Sequence, residues 1–183
     1  SAKAMDYYTQ SLKIREEIGD KKGIASSLHN IGIIYHDQGE SAKAIDHYIQ
    51  SLKIEEEIGN KPGIANSLNN IGNLYHDQGE SAKAFKYSQL SLTIAQEIGA
   101  ALETKQAASS LWEINKKLGR YKESLEMYEL FISTRDSLES EANQKAVIQQ
   151  AYKYAYEKQA AADSITNAEA GKVKDALLTV EKA

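Results

Sequence analysis

The stretch SAKAMDYYTQSLKIREEIGDKKGIASSLHNIGIIYHDQGE (residues 1–40) is followed without a gap by SAKAIDHYIQSLKIEEEIGNKPGIANSLNNIGNLYHDQGE (residues 41–80), and 30 of the 40 aligned positions are identical. Residues 81–120 keep the frame with more drift, so Gly39, Gly79 and Gly119 share one phase and Gly19, Gly59 and Gly99 another. A fixed period of this length marks a solenoid, in which each unit buries its apolar face against its neighbours. Within a period the apolar residues have helical spacing. Leu28, Ile31, Ile34 and Tyr35 form one stripe, and Ala44, Ile45, Tyr48, Leu52 and Ile54 form the next. Asp37-Gln38-Gly39-Glu40 separates the two. A glycine just past a helix end suits the left-handed position that closes the last turn, and Ser41 is placed to cap the following helix. Pro62 stands where a new helix begins, a position proline tolerates. The spacing predicts an all-α chain: a helix over about residues 2–18, then hairpins over about 22–58, 62–98 and 101–139.

Leu28, Ile31, Gly32 and Tyr35, followed by Ala44, Tyr48 and Ser51, resemble the signature of the tetratricopeptide repeat (TPR). In the second copy, Leu68, Ile71, Gly72, Tyr75, Ala84, Ser88 and Ser91, only Ser88 departs, replacing the aromatic residue. The third copy, Ala108, Leu111, Trp112, Asn115, Ser124, Tyr128 and Phe131, is degraded in the manner of a terminal capping repeat. Trp112 in place of glycine holds its two helices further apart. The resemblance covers about residues 1–139 and implies a TPR superhelix, an α-α solenoid of antiparallel hairpins. Its parts would be a lone second helix (1–20), repeats over about 21–60, 61–100 and 101–139, and a C-terminal capping or linker helix over 140–183. Gly32 and Ala44 let the helices cross at short range, and Tyr35 and Tyr48 fill the wedge between them. The repeat of 40 residues exceeds the usual length of about 34, as in many bacterial signalling proteins.

The resemblance implies a protein or peptide ligand, held in a concave groove lined by the first helices. The inward positions outside the core are Ser26, His29, Asn30, Ile33, His36 and Asp37 in the first hairpin. Asn66, Asn69, Asn70, Asn73, His76 and Asp77 follow in the second, and Gln106, Ser109, Ser110, Glu113, Lys116 and Lys117 in the third. Asparagine carries a donor and an acceptor, so a ladder of it can grip an extended backbone. Asn30 and Asn70 fall where such asparagines sit in peptide-binding TPRs. The first two repeats place no lysine or arginine at these positions, which disfavours a clamp for a terminal carboxylate.

Other chemistry finds little footing. A net charge of −4 leaves no basic surplus to neutralise phosphates, so nucleic acid is not an expected partner. The absence of cysteine removes disulfides, thiolate catalysis and Cys-type zinc sites. There is no glycine-rich phosphate loop, nucleophile elbow or HExxH motif. The chain is therefore read as non-catalytic, with no cofactor and no metal site. His36 and His76, with Asp37 and Asp77, have ligand chemistry, but repeat duplication makes any residue recur. His29 and His47 read as solvated helix positions. Glu16-Glu17 and Glu55-Glu56-Glu57 read as neighbours on exposed helix ends, not as carboxylates opposed across a cleft.

After about residue 140 the sequence turns polar and alanine-rich. Ile148, Tyr152 and Ala155 are expected to cap the open end of the stack. Val173, Leu177 and Val180 form a narrower stripe, with Gly171 a weak point between the two. The segment running from SLESEANQKA to YEKQAAADSI is similar to the one that joins TPR arrays to a membrane helix in bacterial sensors. That similarity implies an alternative: a sensory or regulatory domain of a membrane-bound histidine kinase or adenylate or guanylate cyclase, cytoplasmic or periplasmic. The chain itself holds no apolar run of the roughly 20 residues that cross a bilayer. It starts at Ser1 in mid-pattern, as a fragment would, so the stripe of Ala4, Tyr8 and Leu12 is expected to be partly uncovered. Exposed stripes of this kind associate. Self-association through the N-terminal helix is therefore expected: light scattering at high concentration should report a mass above that of the monomer, and a monomeric mass rejects it.

Overall fold

Glycines twenty residues apart divide the first 120 residues into helices of equal length. A computed structural model describes the backbone of residues 2–180 and the side chains of 3–154, 156–159 and 164. The helices are α1 (Ala2–Ile18), α2 (Lys21–Asp37), α3 (Ser41–Glu57), α4 (Lys61–Asp77), α5 (Ser81–Glu97), α6 (Ala101–Lys117) and α7 (Tyr121–Val180). Each turn is closed by a glycine in the left-handed region, as at Gly39 with φ +75°. There the Gly39 amide donates to the His36 carbonyl at 2.8 Å and the Glu40 amide to the Tyr35 carbonyl at 2.9 Å. These bonds satisfy carbonyls that the helix end would otherwise leave open.

The chain divides into two compact units, Ser1–Leu138 and Glu139–Ala183. In the first, α1 packs on α2, α2 on α3, α3 on α4, α4 on α5 and α5 on α6, and α4 also touches α6. Within the first two hairpins the approach is very close. A Cβ on Gly32 would meet the Tyr48 ring at 2.7 Å; on Gly72 it would meet Ser88 Oγ at 2.5 Å and the Ser88 backbone nitrogen at 3.2 Å. The Ser51 hydroxyl donates to the Ala25 carbonyl at 2.9 Å, and Ser91 repeats the bond to Ala65 at 2.7 Å. Ala44, Tyr48, Ile71 and Leu74 form one buried cluster, and Leu92, Ala107 and Leu111 another.

The aromatic contacts are duplicated along with the repeat. His47 stacks on Tyr35 with ring centroids 5.2 Å apart, and Tyr87 stacks on Tyr75 at 5.5 Å. Lys43 and Lys83 cover the Tyr35 and Tyr75 rings at 5.1 and 5.0 Å. The reading of His47 as solvated is therefore corrected. Its ring is half-buried and its Nδ1 is buried with no partner. The desolvation that accompanies burial lowers its pKa.

In the third hairpin Trp112 lies against Tyr128 and Phe131 at 4.7 and 6.3 Å. The Ser124 hydroxyl donates to the Trp112 carbonyl at 3.0 Å. Met127 and Leu130, at the start of α7, cover the Leu92–Ala107–Leu111 cluster. In the second unit the side chains of Ile148 and Tyr152 are 54% and 74% exposed. The side chains of Ala155, Val173, Leu177 and Val180 lie outside the described residues. The backbone of α7 passes through Gly171 without a break. Among the described residues no helix is long and apolar enough to cross a membrane.

The close crossing can be measured. Gly32→Ala drives a methyl into a buried ring and should cost roughly 1–3 kcal/mol in urea unfolding. The cost should shrink in a Tyr48→Ala background, which removes the ring that the added methyl meets; the double-mutant cycle reads this coupling.

Candidate functional site

The first helices α2, α4 and α6 present the predicted groove residues, and the structure sorts them into two cavities and a rim. The first cavity, about 320 Å³, is lined by Asn69, Asn70, Asn73, Lys105, Gln106, Ser109, Ser110 and Phe131. Ser110 Oγ donates to Asn73 Oδ1 at 2.7 Å, tying α6 to α4. Asn69 is only 5% exposed and its Oδ1 is buried without a partner. An acceptor left open in this way costs about 1–3 kcal/mol.

The second cavity, about 230 Å³, is lined by Lys22, Ser26, His29, Glu55, Asn60, Gly63 and Asn66. His29 is half-buried beside the Tyr48 ring, with centroids 5.1 Å apart, which corrects its reading as a solvated residue. The Asn70 amide donates to His29 Nε2 at 3.2 Å, bridging α4 and α2. Desolvation lowers the His29 pKa below 6.5 and keeps the ring neutral, so Nε2 stays an acceptor.

Glu55 is the larger correction. Read as one of three solvated acids, it is only 6% exposed, while Glu56 and Glu57 are exposed. At 100° per residue, the last turn of α3 rolls Glu55 inward and its neighbours outward. Its carboxyl accepts a hydrogen bond from the Asn60 amide. Asn60 is the N-cap residue of α4, yet its side chain makes no cap bond. Asp20, at the same phase, caps its own helix by accepting from the Gly23 amide at 2.9 Å. A Cβ on Gly63 would lie 2.5 Å from the Glu55 carboxyl carbon, so the carboxyl fits only because residue 63 is glycine. Burial raises the Glu55 pKa, opposed by the Asn60 hydrogen bond and by the charge of Lys22.

The remaining predicted residues sit on the rim. Asn30 turns back to donate to the Ser26 carbonyl at 2.7 Å, and Ile33 and His36 are exposed. Asp77 faces His36 at 3.4 Å and His76 at 3.6 Å. Among the described residues no three of His, Asp or Glu are gathered so as to hold a metal ion. Lys116 is exposed and lies with His76, Glu113 and Lys117 around a shallow depression.

Lys22, Glu55, Asn60, Lys105 and Phe131 were not singled out in the sequence as groove residues, although a signal for three of them was present. Repeats 1–40 and 41–80 differ at only ten positions. Six of the seven residues lining the smaller cavity, all but Gly63, stand at such positions. Asn69 and Asn73 of the larger cavity do so as well. Six of the ten differing positions thus line the two cavities, and the other four are Met5/Ile45, Tyr7/His47, Thr9/Ile49 and Ile34/Leu74.

The profile of the tetratricopeptide repeat family matches residues 1–57, 23–97 and 63–137. No curated protein gives a significant sequence match. Among solved structures, BtubC from P. vanneervenii aligns with a TM-score of 0.65 at 19% identity, over 74% of this chain and 56% of its own. Aspartyl phosphate phosphatase F from Bacillus subtilis gives 0.70 at 19% identity, over 73% of this chain and 35% of its own. A Rap protein complexed with competence and sporulation factor gives 0.69 at 23% identity, over 75% of this chain and 38% of its own. These likenesses are of fold, and the chain spans little more than half of the first of these proteins and under two fifths of the other two.

The raised pKa of Glu55 has a signed consequence. A carboxyl whose folded pKa lies above its usual 4.5 contributes stability below that value and loses it as pH rises through the folded pKa. Glu55→Gln removes this loss while keeping an acceptor for Asn60. The melting temperature of the variant, compared with the parent, should gain most near neutral pH, and the gain should shrink as pH falls toward 4. Thermal melts of both proteins across that range check it.

Proposed function

The chain belongs to the tetratricopeptide repeat family, and with it to the protein-interaction modules; from that premise we propose that α2, α4 and α6 together bind an extended segment of a partner protein or a free peptide. The observation that carries this reading is the wall between α4 and α6. Asn69 offers a buried, unpartnered carbonyl oxygen, and Asn70, Asn73, Gln106 and Ser109 stand around it in a cavity of about 320 Å³. A peptide backbone presents an N–H and a C=O at every residue, which is the complement of a surface lined with amides and hydroxyls. Lys105 adds a cation to this cavity and Phe131 an apolar wall. The Rap protein that shares this fold was solved in complex with competence and sporulation factor, which supports the use of such an array for ligand capture.

A random peptide display library tests the reading. The parent chain should enrich peptides, and Asn73→Ala combined with Lys105→Ala should weaken the selected peptides about tenfold or more, the cost of removing one charge-assisted and one neutral hydrogen bond. Asn69 is left intact because its burial makes a folding defect the easier explanation. Unchanged affinity in a variant with unchanged helical circular dichroism would locate the binding face elsewhere.

A further inference from the structure

We propose that the cavity between α2 and α4 is a subsite for a cationic group of the ligand, the guanidinium of an arginine or the ammonium of a lysine or free chain N-terminus, with Glu55 as its counter-ion. The inference rests on the groove reading above and names what that groove selects.

Three observations carry it. The first is Glu55 itself. A carboxylate so deeply buried is costly unless a positive partner or several donors meet it. Asn60 supplies one neutral donor, and among the described residues no lysine or arginine forms an ion pair with Glu55. Lys22, an exposed residue of the cavity rim, is the cation whose charge acts on it.

The second is an internal precedent. Arg15 holds the position forty residues before Glu55. Its side chain passes over Gly23, where an added Cβ would meet Arg15 Cδ at 2.6 Å, as Glu55 passes over Gly63. The Arg15 guanidinium then donates to the Gly23 carbonyl and to Ser27 Oγ, both at 2.8 Å. In the next repeat the matching hydroxyl, Ser67 Oγ, is fully buried with no partner. One repeat thus carries its own guanidinium in this slot; the next carries a carboxylate and an unused acceptor.

The third is what the repeat gives up there. Asn60 leaves the N-terminus of α4 uncapped in order to hold Glu55. An asparagine at the N-cap can stabilise its own helix, so here the Asn60 side chain serves the carboxyl in place of α4. His29 and Lys22 are the other titratable groups at the cavity. His29 is neutral through burial, which leaves the charge of the cavity to Glu55 inside and Lys22 at the rim.

Lys22 sets a signed test. Parent, Glu55→Gln and Lys22→Met chains are each put through the same random peptide library, with thermal melts as the folding control. The parent should enrich peptides with arginine, lysine or the free N-terminus at one fixed place. Glu55→Gln should bind a selected arginine peptide about tenfold or more weakly, because a charge-assisted pair is replaced by a neutral contact. Lys22→Met should bind the same peptide more tightly. Enrichment without a basic preference, or equal affinity for Glu55→Gln, overturns this inference and leaves the groove reading standing. An acidic preference that Lys22→Met abolishes also overturns it and makes the cavity an anion site. A parent chain that enriches no peptide overturns both readings together.

Discussion

The first two hairpins depend on two helices crossing so closely that a single methyl group does not fit between them. At Gly32 the space belongs to the Tyr48 ring, and at Gly72 to Ser88 and the backbone of α5. Such proximity brings serine hydroxyls within reach of carbonyls on the facing helix, Ser51 to Ala25 and Ser91 to Ala65, so these two buried hydroxyls have partners. It also fixes rotation. Once Gly32 faces Tyr48, the helical repeat of about 3.6 residues decides that His29 lies toward the neighbouring first helix and that Ile31 and Ile34 lie in the core. The groove residues are thus placed by the core, not by contacts of their own.

The same constraint shows what the third hairpin relinquishes. Trp112 stands where Gly32 and Gly72 stood, and its ring turns onto Tyr128 and Phe131. Phe131 occupies the phase of Ser51 and Ser91 and forms part of the wall of the larger cavity. The crossing loses its serine bond, and the groove gains an aromatic surface. Ser124 keeps the helices tied by bonding the Trp112 carbonyl. α7 then continues as one helix to Val180, with no proline to stop it and no glycine before Gly171.

Much of the hairpin was legible from the first eighty residues, because its determinants are residue types with one steric meaning: glycine where φ is positive, glycine or alanine where helices cross, apolar residues at helical spacing. The site was less legible because depth is not a property of a residue type. Glu55, Glu56 and Glu57 are chemically the same, and only the rotation of the last turn of α3 buries the first of them. His29 and His47 look like solvated residues until Tyr48 and Tyr35 are seen beside them. Asn69 was singled out for its amide, but that its oxygen is left without a partner is a fact of packing. What sequence did contain, unread, was the pattern of difference between two nearly identical repeats.

That pattern follows from how a duplicated scaffold acquires specificity. Substituting a crossing residue disturbs the packing of its hairpin, and the crossing positions Gly32/Gly72 and Ala44/Ala84 are kept. Six of the ten differences between the first two repeats fall instead at cavity-lining positions. Arg15 and Glu55 are the extreme case, with opposite charges at one phase of the same frame. Their contrast makes adjacent inter-repeat positions chemically distinct, with a buried carboxyl between α2 and α4 and a lysine, Lys105, between α4 and α6. A row of identical repeats would present the same surface at every step and let a bound segment slide by one repeat. On the proposed reading, unlike charges in successive cavities would hold a segment that satisfies both in one register and one direction, since sliding or reversal would bring like charges together.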